Sequence, residues 1–332
     1  MRWYALLGII ISVIFGLFVL SQIDLDRLGM ALHSAHYRFL VLAALTQIST
    51  HLVRTWRWRY LIEPVKPVSL FSLLSATSIG FMANMVLPAH AGEVVRAYVI
   101  GRREQVSTTA ALATIVMERM ADLVSMVLIL ILVVTAPGLP FMEGPLAEGL
   151  KIGGYFAASL GVVLIGILWG LQAKTAPMLR FLEHCMGVLS LSWRVRLLAA
   201  LASFASGLRA LRNGRHLVAV LMLSLLLWSL IAVSNLLVFW AFDFELPVVA
   251  AFFILVVQVL SAAVPSVPGY VGTFHAAVVA SLAVFHITPE LALSMAIMMH
   301  AVFFFPFIVT GLPFLWGESL SLRDLSTMKV DP

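Results

Sequence analysis

Long runs of apolar residues alternate with short polar gaps along the whole chain. A helix needs about 20 apolar residues to cross the hydrocarbon core of a bilayer. Six runs reach this length, so the pattern predicts an all-α polytopic membrane protein with about six spanning helices. The predicted spans are Trp3–Ser21, Phe39–Trp58, Ala110–Thr135, Ile152–Leu171, His216–Phe242 and Glu290–Trp316.

Two further apolar stretches, Val68–Ile100 and Pro247–His286, are too long for one span and are interrupted near their centres. Broken backbone at membrane depth is tolerated only where it is buried in protein or lines a wet cavity. We therefore predict two helical hairpins, either re-entrant or fully crossing. The residues that break them are Pro88 and Gly92 in the first, and Pro265, Pro268, Gly269 and Gly272 in the second.

The two broken stretches recur at a fixed distance, since Pro88 and Pro265 are separated by 177 residues. Each half of the chain reads as span, broken hairpin and span. The predicted repeat units cover about 39–135 and 216–316 and are connected by 136–215. Paired broken helices in an inverted repeat are typical of transporters with a substrate site between the repeats. A chance recurrence of a short Pro/Gly string is the alternative.

The composition agrees with a bilayer environment, because 62% of the 332 residues are hydrophobic and 11% are charged. Soluble domains are about 45–50% apolar and about 25% charged. We expect one transmembrane domain over 1–318 and a short cytoplasmic tail over 319–332. The lone Cys185 excludes an internal disulfide and a metal site built on several thiolates.

Lysine and arginine are unevenly distributed among the polar gaps. The segment 172–215 carries seven basic residues and one acidic residue. The gaps at 54–66 and 96–103 are also basic, whereas those at 143–148 and 243–245 are acidic. Because basic gaps stay in the cytoplasm, we expect a multi-pass protein of the inner (plasma) membrane with both termini cytoplasmic. The same distribution explains the net charge of +5 without nucleic acid.

Three ionisable residues, Glu118, Arg119 and Asp122, lie inside one predicted span. Each costs roughly 2.5–3.5 kcal/mol at the centre of a bilayer, so each needs a reason to be there. Arg119 and Asp122 can pair at i, i+3, and Glu118 requires a second cation. Either a buried network fixes helix packing, or these groups line a polar path or gate for a charged headgroup. The candidate cations are Arg54, Arg57 and Arg96.

Polar residues also flank the two helix breaks. Asn84, Glu93 and Arg96 surround the first, where an unwound turn and a positive helix end suit an anionic phosphate. A plain helix end capped by Glu93 is the alternative. His275 follows the second break and can either titrate in a cavity or pack as a satisfied histidine.

Arg54, Arg57 and Arg59 alternate with Trp56 and Trp58 near the end of the second predicted span. An aromatic–basic cluster of this kind is typical of an anchor at the inner membrane interface.

Four strings in this order and spacing resemble the lysylphosphatidylglycerol synthase transmembrane-region family, also called flippase-like or uncharacterised membrane protein family 0104. The resemblance covers about residues 1–318. It implies a flippase-type domain, which in the best-known members moves a modified phospholipid from the inner to the outer leaflet. Other relatives act with glycosyltransferase, polyprenyl-lipid or hopanoid pathways. The strings are Arg57-Trp58-Arg59, Asn84-x-x-Leu87-Pro88-Ala89-x-Ala91-Gly92-Glu93-x-x-Arg96, Glu118-Arg119-x-x-Asp122 and Pro265-x-x-Pro268-Gly269-x-x-Gly272.

The chain departs from the resembled pattern in two respects. Aminoacyl-transferring members carry a large soluble C-terminal domain, whereas this chain ends about 16 residues after its last span, so lysyl transfer is not expected. Many relatives have a second glycine where Tyr270 stands and a glutamate where His275 stands. A proton- or cation-linked role of that glutamate is therefore in doubt here.

A lipid or lipid-linked-sugar flippase is the first functional hypothesis, since intramembrane charges and broken hairpins can form a polar groove for a headgroup. An integral membrane transferase and an accessory subunit of a glycolipid-synthesis complex are the alternatives. The sequence has no Gly-rich nucleotide-binding loop and no metal-ligand spacing. We expect no enzymatic activity, catalytic residue, cofactor or metal. The expected partners are membrane lipids and, as a second class, lipid-modifying or glycosyltransferase enzymes.

Overall fold

Nine α-helices and one 3₁₀ turn make up the part of the chain that this computed structural model describes, with no strand in that part. The structure describes residues 25–86, 91–136, 214–262 and 267–318, together with six helical positions between 152 and 166. The helices are α1 (Leu25–Ser34), α2 (Tyr37–Ile62), α3 (Leu70–Val86), α4 (Gly92–Glu104), α5 (Thr108–Thr135), α6 (Gly214–Ala241), α7 (Val248–Ala262), α8 (Thr273–Ala283) and α9 (Pro289–Gly317), and the 3₁₀ turn is Pro268–Tyr270.

Four of the six predicted spans correspond to long helices, namely α2, α5, α6 and α9. By length and composition alone, α6 and α9 are each able to cross a membrane. A third span results if α1 and α2, which meet at a bend of 80°, are taken together. Helix α5 has 28 residues but carries three charged side chains. The helical class is confirmed, whereas the number of six spans stays a prediction.

Several predicted features lie outside the described residues. They are the first span Trp3–Ser21, most of the span Ile152–Leu171, residues 172–213 of the basic segment, the tail 319–332 and the two prolines Pro88 and Pro265.

Both predicted hairpins are broken helices in the structure. The first consists of α3 and α4, and the second consists of α7 and α8, with the 3₁₀ turn between them. Gly269 and Gly272 have φ angles of 77° and 89°, which glycine adopts without a clash from a Cβ atom. Pro268 begins the 3₁₀ turn and Gly272 directly precedes α8. Whether each hairpin turns back or crosses the bilayer stays a prediction.

The same order of long, short, short and long helices occurs twice. Helices α2 to α5 have 26, 17, 13 and 28 residues, and α6 to α9 have 28, 15, 11 and 29. The packing repeats as well. Helix α3 packs against α9 as α7 packs against α5, and α2 packs against α9 as α6 packs against α5, while α2 and α6 pack on each other. Each contact of one set therefore has its counterpart in the other.

Large apolar side chains face outward, whereas charged side chains are buried. Val41, Phe305 and Val309 are 60%, 61% and 63% exposed, while Arg57 and Glu118 are fully buried. This distribution is the reverse of that in water-soluble proteins, where charged groups are almost never fully buried unless paired and large exposed apolar patches mark interaction sites. It fits a helix bundle whose outer surface contacts lipid.

The two ends of the bundle differ in charge. At one end, called the basic end, Arg103 pairs with Glu318, which also accepts a 2.7 Å hydrogen bond from Ser75. Lys66 reaches the carbonyl of Glu104 at the same end. At the opposite, acidic end, His36 lies 3.1 Å from Asp243, Glu245 follows two residues later, and Glu290 lies in the first turn of α9. The contact of Arg103, Glu318 and Ser75 joins α3, α4 and α9 and is referred to below as the basic-end latch.

Candidate functional site

A network of buried ion pairs is centred on Glu118 in the middle of α5. Glu118 Oε1 lies 2.8 Å from Arg57 and 2.9 Å from Arg119. Arg96 approaches both oxygens at once, with distances of 3.0 and 3.1 Å. Because guanidinium groups bind carboxylates through two parallel hydrogen bonds, this geometry holds α4 firmly against α5. The second cation that the sequence required for Glu118 is supplied by two residues, Arg57 and Arg96.

Asp122, one turn further along α5, belongs to the same network. It pairs with Arg57 and lies 3.2 Å from Arg119. The indole of Trp228 on α6 donates to it at 3.2 Å, and Ser224 accepts from Arg57 at 2.8 Å. The i, i+3 pair of Arg119 and Asp122 is therefore present. The network connects α2, α4, α5 and α6 through charge-assisted hydrogen bonds.

Local packing explains why Arg96 reaches the centre of the network. Its guanidinium lies over the ring of Trp58, 4.2 Å from the ring centre, and Trp58 donates to Thr114 at 2.9 Å. Gly80 on α3 lets the stem of Arg96 pass, because a Cβ at position 80 would overlap that side chain. A cation above an aromatic face is itself stabilised. Gly80 therefore leaves the space through which Arg96 reaches Glu118.

Arg54 differs from the other buried arginines in having no carboxylate partner. Only 4% of the residue is exposed, and no carboxylate of the described residues lies within 4.0 Å of it. Its guanidinium stacks on Phe81 at 4.3 Å, and its Nε atom has no hydrogen-bond partner in the described part. Burying an unpaired charge is costly. Arg54 is thus a buried cation available to a ligand.

A cavity of about 220 Å³ adjoins this network and is lined by residues of both segments 39–135 and 216–316. Arg119, on its wall, is 36% exposed although it lies at the middle of a long helix. The polar lining residues are Gln47, Arg54, Asn84, Glu93, Arg119, Trp228, Ser234, Asn235, Gln258, Ser261 and Tyr270, and apolar ones include Phe81, Met85, Ile231, Leu255, Val259, Phe274, Met299 and Phe303.

The first helix break contributes two of the predicted site residues to the cavity wall. Asn84 accepts a 2.7 Å hydrogen bond from the backbone N–H of Gly92, so it satisfies a group that the broken helix leaves free. Glu93 lines the cavity, and its Oε2 atom is buried without a partner in the described part. Arg96, three residues on, belongs to the ion-pair network instead. Glu93 and Arg96 therefore serve different parts of the site.

The second helix break carries a histidine pair beside the cavity. The rings of His275 and His300 have centres 4.8 Å apart. His300 Nε2 donates to the carbonyl of Gly269 at 2.7 Å, and the N–H of Gly272 donates to His275 Nδ1 at 3.4 Å. These bonds hold the turn together, and His275, half-buried in the first turn of α8, accepts one of them. The cavity wall is formed instead by the neighbouring Tyr270, whose φ angle is 59°.

The aromatic–basic cluster of α2 divides between two faces of the helix. Arg54, Arg57 and Trp58 are buried, whereas Trp56 is 59% exposed and Arg59 is also exposed. Successive residues of a helix are rotated by about 100°, so Arg59 lies roughly 200° around the helix from Arg57 and faces away from the buried side. Arg54 and Arg57 therefore lie inside the bundle and Arg59 lies on its outer surface, whereas the interfacial role predicted for the three stays a prediction.

Trp228 and His300 belong to the site region but carry no motif that marks them in the sequence. Trp228 reads as one more apolar residue of a span, and its indole becomes informative only when it meets Asp122. A chemical signal existed for His300, because an imidazole inside a predicted span needs a partner. Within the described residues, no group of three or more His, Cys, Asp or Glu side chains is arranged to hold a metal ion.

Comparison with known proteins supplies a family. A family model described as lysylphosphatidylglycerol synthase TM region matches residues 5–311. The chain is 27% identical to glycosyltransferase AglD of Haloferax volcanii over 98% of its own length, but it spans only 55% of that protein. It is 22% identical to UPF0104 membrane protein MJ1595 of Methanocaldococcus jannaschii, over 87% of this chain and 88% of that one. No solved structure matches the chain.

Proposed function

The chain belongs to the lysylphosphatidylglycerol synthase TM region family, and on this premise we propose that it is a flippase of the cell membrane. Its substrate is a phospholipid or a lipid-linked compound of the polyprenyl, hopanoid or glycolipid type, moved between the two leaflets. A headgroup crossing the bilayer needs polar groups at membrane depth, because each uncompensated charge there is costly.

The observation that supports this proposal most directly is that Arg54 and Arg119 line the same cavity. Both cations lie at the middle of the helix bundle, and the wall around them combines polar side chains with apolar ones such as Phe81 and Leu255. A wall of that kind suits a molecule with a polar head and an apolar tail. A purely structural ion-pair network would leave neither a partly exposed Arg119 nor an unpaired Arg54.

The transport cycle that we propose uses an inverted repeat. The paired order and packing of α2–α5 and α6–α9 support a pseudo-two-fold relation between them, and the charge difference between the two ends supports opposite orientations with the basic end in the cytoplasm. In such transporters one repeat rocks against the other around a central site. The basic-end latch would then close the cytoplasmic side and open when a substrate enters from that leaflet.

An integral membrane transferase is the competing hypothesis, and the ion-pair network argues against it. A general base must be free to accept a proton from the reacting group. Glu118 is bound by three guanidinium groups and Asp122 by two. Both carboxylates are therefore already committed to structural partners.

Glycosyltransferases are the partner class that the comparisons favour. The relative named glycosyltransferase AglD matches almost the whole of this chain with about half of its own length. We therefore propose that this chain supplies or removes a lipid-linked substrate for a lipid-modifying or glycosyltransferase enzyme in the same membrane.

Reconstitution into liposomes tests the proposed function. Lipids with a fluorescent acyl chain are placed in one leaflet, and a membrane-impermeant quencher reports their arrival in the other. We expect exchange without chemical change of the lipid, and we expect Arg119→Ala to abolish it. Arg102→Gln, which changes an exposed arginine, is the matched control. A new lipid product would favour the transferase, and equal exchange in protein-free liposomes would refute the flippase.

A further inference from the structure

We infer that Glu93 couples lipid exchange to protons. An anionic headgroup crosses the membrane together with one proton bound to the Glu93 carboxylate, whereas a zwitterionic headgroup presents its own ammonium to that carboxylate and crosses without a proton. This inference rests on the proposed function and names the ion that the same cavity moves with its substrate.

Glu93 is a carboxylate at the site without a partner of its own. It lies in the first turn of α4, and its Oε2 atom is buried with no hydrogen bond in the described part of the chain. Glu118 and Asp122, in contrast, are each held by at least two guanidinium groups. Among the described residues that line the cavity, Glu93 is the only carboxylate. Its charge can therefore change without dismantling the ion-pair network.

The charged groups near Glu93 are cations. Arg119 of α5 and Tyr270 of the 3₁₀ turn are close enough to interact with Glu93 electrostatically, and Arg54 of α2 lies on the same cavity wall. Helix α3 contributes no charged group to this wall, and Arg96, on the same helix as Glu93, is bound to a different carboxylate. The carboxylate of Glu93 and the cation of Arg54 are thus the two charged groups of the wall that have no direct partner.

A bound anion changes this balance. A phosphate can pair with the free edge of Arg54 and with the exposed part of Arg119. The cavity measures about 220 Å³, less than the roughly 300–1,000 Å³ of pockets for drug-sized ligands, so that phosphate shares a small volume with Glu93. When two anions share a buried site, one of them takes up a proton. A phosphodiester is a far weaker base than a carboxylate, so the proton goes to Glu93.

A zwitterionic headgroup has a different effect. Its phosphate pairs with Arg54 as before, while its ammonium is attracted to the unpaired oxygen of Glu93. The ammonium supplies the positive charge that a proton would otherwise bring, so the carboxylate stays ionised. In both cases the loaded cavity gains no net charge, which matters because an uncompensated charge at membrane depth is costly.

One proton is expected for each anion, because the second helix break supplies no counterpart to Glu93. Tyr270 stands 177 residues after Glu93, the same spacing that separates the two breaks, and it lines the same cavity. Its phenol is neutral at pH 7. The histidine pair of the second break is hydrogen-bonded to the backbone of the turn instead.

The test measures how lipids distribute between the leaflets of proteoliposomes that have a pH difference across the membrane. Phosphatidylglycerol, which is anionic, and phosphatidylethanolamine, which is zwitterionic, carry the same fluorescent acyl chain, and a membrane-impermeant quencher reports the fraction in the outer leaflet. The final distribution depends on the gradients alone, so protein inserted in either orientation reports the same value. Protein-free liposomes correct for spontaneous exchange.

We expect a pH difference of about one unit to shift phosphatidylglycerol about tenfold toward the leaflet that faces the more alkaline side, since its ratio then balances that of the protons. A potassium diffusion potential set with valinomycin should leave this distribution unchanged, because anion and proton cross as a neutral pair. Phosphatidylethanolamine should respond to neither gradient. Phosphatidylglycerol that follows the potential and ignores the pH difference would refute the coupling.

Glu93→Gln keeps the size of the side chain and removes the proton site. Phosphatidylglycerol should then follow the potential and lose its response to pH, and exchange of phosphatidylethanolamine should slow about tenfold, since its ammonium loses a charged partner. The matched control Glu63→Gln, at an exposed carboxylate, should keep the pH response. A pH response that survives Glu93→Gln overturns the inference, and its loss in His275→Gln instead would assign the proton to the histidine pair.

A second measurement separates this inference from the proposed function. Short-chain phosphatidylglycerol is added to detergent-purified protein in weakly buffered solution, where a pH indicator records proton uptake and thermal stabilisation records binding. We expect about one proton to be taken up per bound phosphatidylglycerol, and no uptake with phosphatidylethanolamine or with Glu93→Gln.

The combined outcomes decide the two proposals independently. If no lipid moves in liposomes, or if Glu93→Gln stops all exchange, proton uptake on binding decides the inference. If lipids move but phosphatidylglycerol binds without proton uptake, the flippase stands and the coupling is refuted. Failure of both short-chain lipids to bind refutes the coupling as well.

Discussion

Replacing Glu118 with glutamine removes one charge and keeps the size of the side chain. In the structure Glu118 is fully buried, and four nitrogen atoms from three arginines lie within 3.1 Å of its oxygens. Glutamine keeps one oxygen that can accept hydrogen bonds from these arginines but replaces the other oxygen with an NH₂ group. That group donates hydrogen bonds, and a guanidinium has no atom that can accept them. The guanidinium groups of Arg57, Arg96 and Arg119 are then left with Asp122 as the only carboxylate that pairs with any of them among the described residues.

The expected cost follows from the burial of this network. Breaking a buried ion pair by removing one partner costs about 3–5 kcal/mol, because the other charge remains buried and uncompensated. For a chain of this size that corresponds to a fall in Tm on the order of 10 °C. The loss should appear in stability as well as in transport, since the network joins α2, α4, α5 and α6.

The measurement is the apparent Tm of detergent-purified protein at one fixed heating rate, because membrane proteins commonly unfold irreversibly. Glu63→Gln is the matched control, since it changes an exposed glutamate at the end of α2. We expect the control to lie within about 0.5 kcal/mol of the unchanged protein. A Glu118→Gln variant as stable as the control would show that the three arginines do not depend on this carboxylate and would refute the network.

Three further substitutions test other parts of the structure. Arg54→Gln removes a buried charge that has no carboxylate partner. We therefore expect Tm to stay constant or rise while exchange of anionic lipid falls about tenfold. A fall in Tm like that of Glu118→Gln would mean that Arg54 is structural. Gly80→Ala places a Cβ against the side chain of Arg96, and overpacking of this kind should cost about 1–3 kcal/mol in the same thermal assay. The control Gly29→Ala, in open space on α1, should be as stable as the unchanged protein or up to about 1 kcal/mol more stable. Gly269→Ala forces a φ of 77° on a residue with a Cβ, and that Cβ would lie 2.7 Å from Phe304. At least about 1 kcal/mol of stability should therefore be lost. An unchanged Tm would contradict the turn described here.

The positions of the helices could be predicted because a bilayer imposes a simple rule on sequence. Apolar length marks a span, and the long helices α2, α5, α6 and α9 begin and end within a few residues of the predicted limits. The breaks could be predicted for a related reason, since proline and glycine interrupt a helix wherever it lies. The number of crossings depends on how the short helices sit in the membrane, which local sequence does not determine.

The network could be predicted in part. A carboxylate inside a span must have a cation, which limited the partners of Glu118 to three arginines on two neighbouring helices. The choice among them depends on helix rotation. Arg54 and Arg57 lie on nearly the same face of α2, and a modest difference in angle directs Arg57 to Glu118 and Arg54 to Phe81. Trp228 was missed because its role depends on a contact between segments more than 100 residues apart in sequence.

The arginine–carboxylate network also has a mechanical consequence. Helices α2, α4, α5 and α6 are tied by charged contacts that water cannot easily replace, whereas α7 meets α6 through the amide pair of Asn235 and Gln258 and through apolar side chains. Slippage is easier across the weaker boundary. In the proposed transport cycle we therefore expect the second repeat to move against the first mainly through α7–α8, while α6 stays with α2, α4 and α5. A cross-link between α7 and α6 should then stop lipid exchange without lowering the Tm.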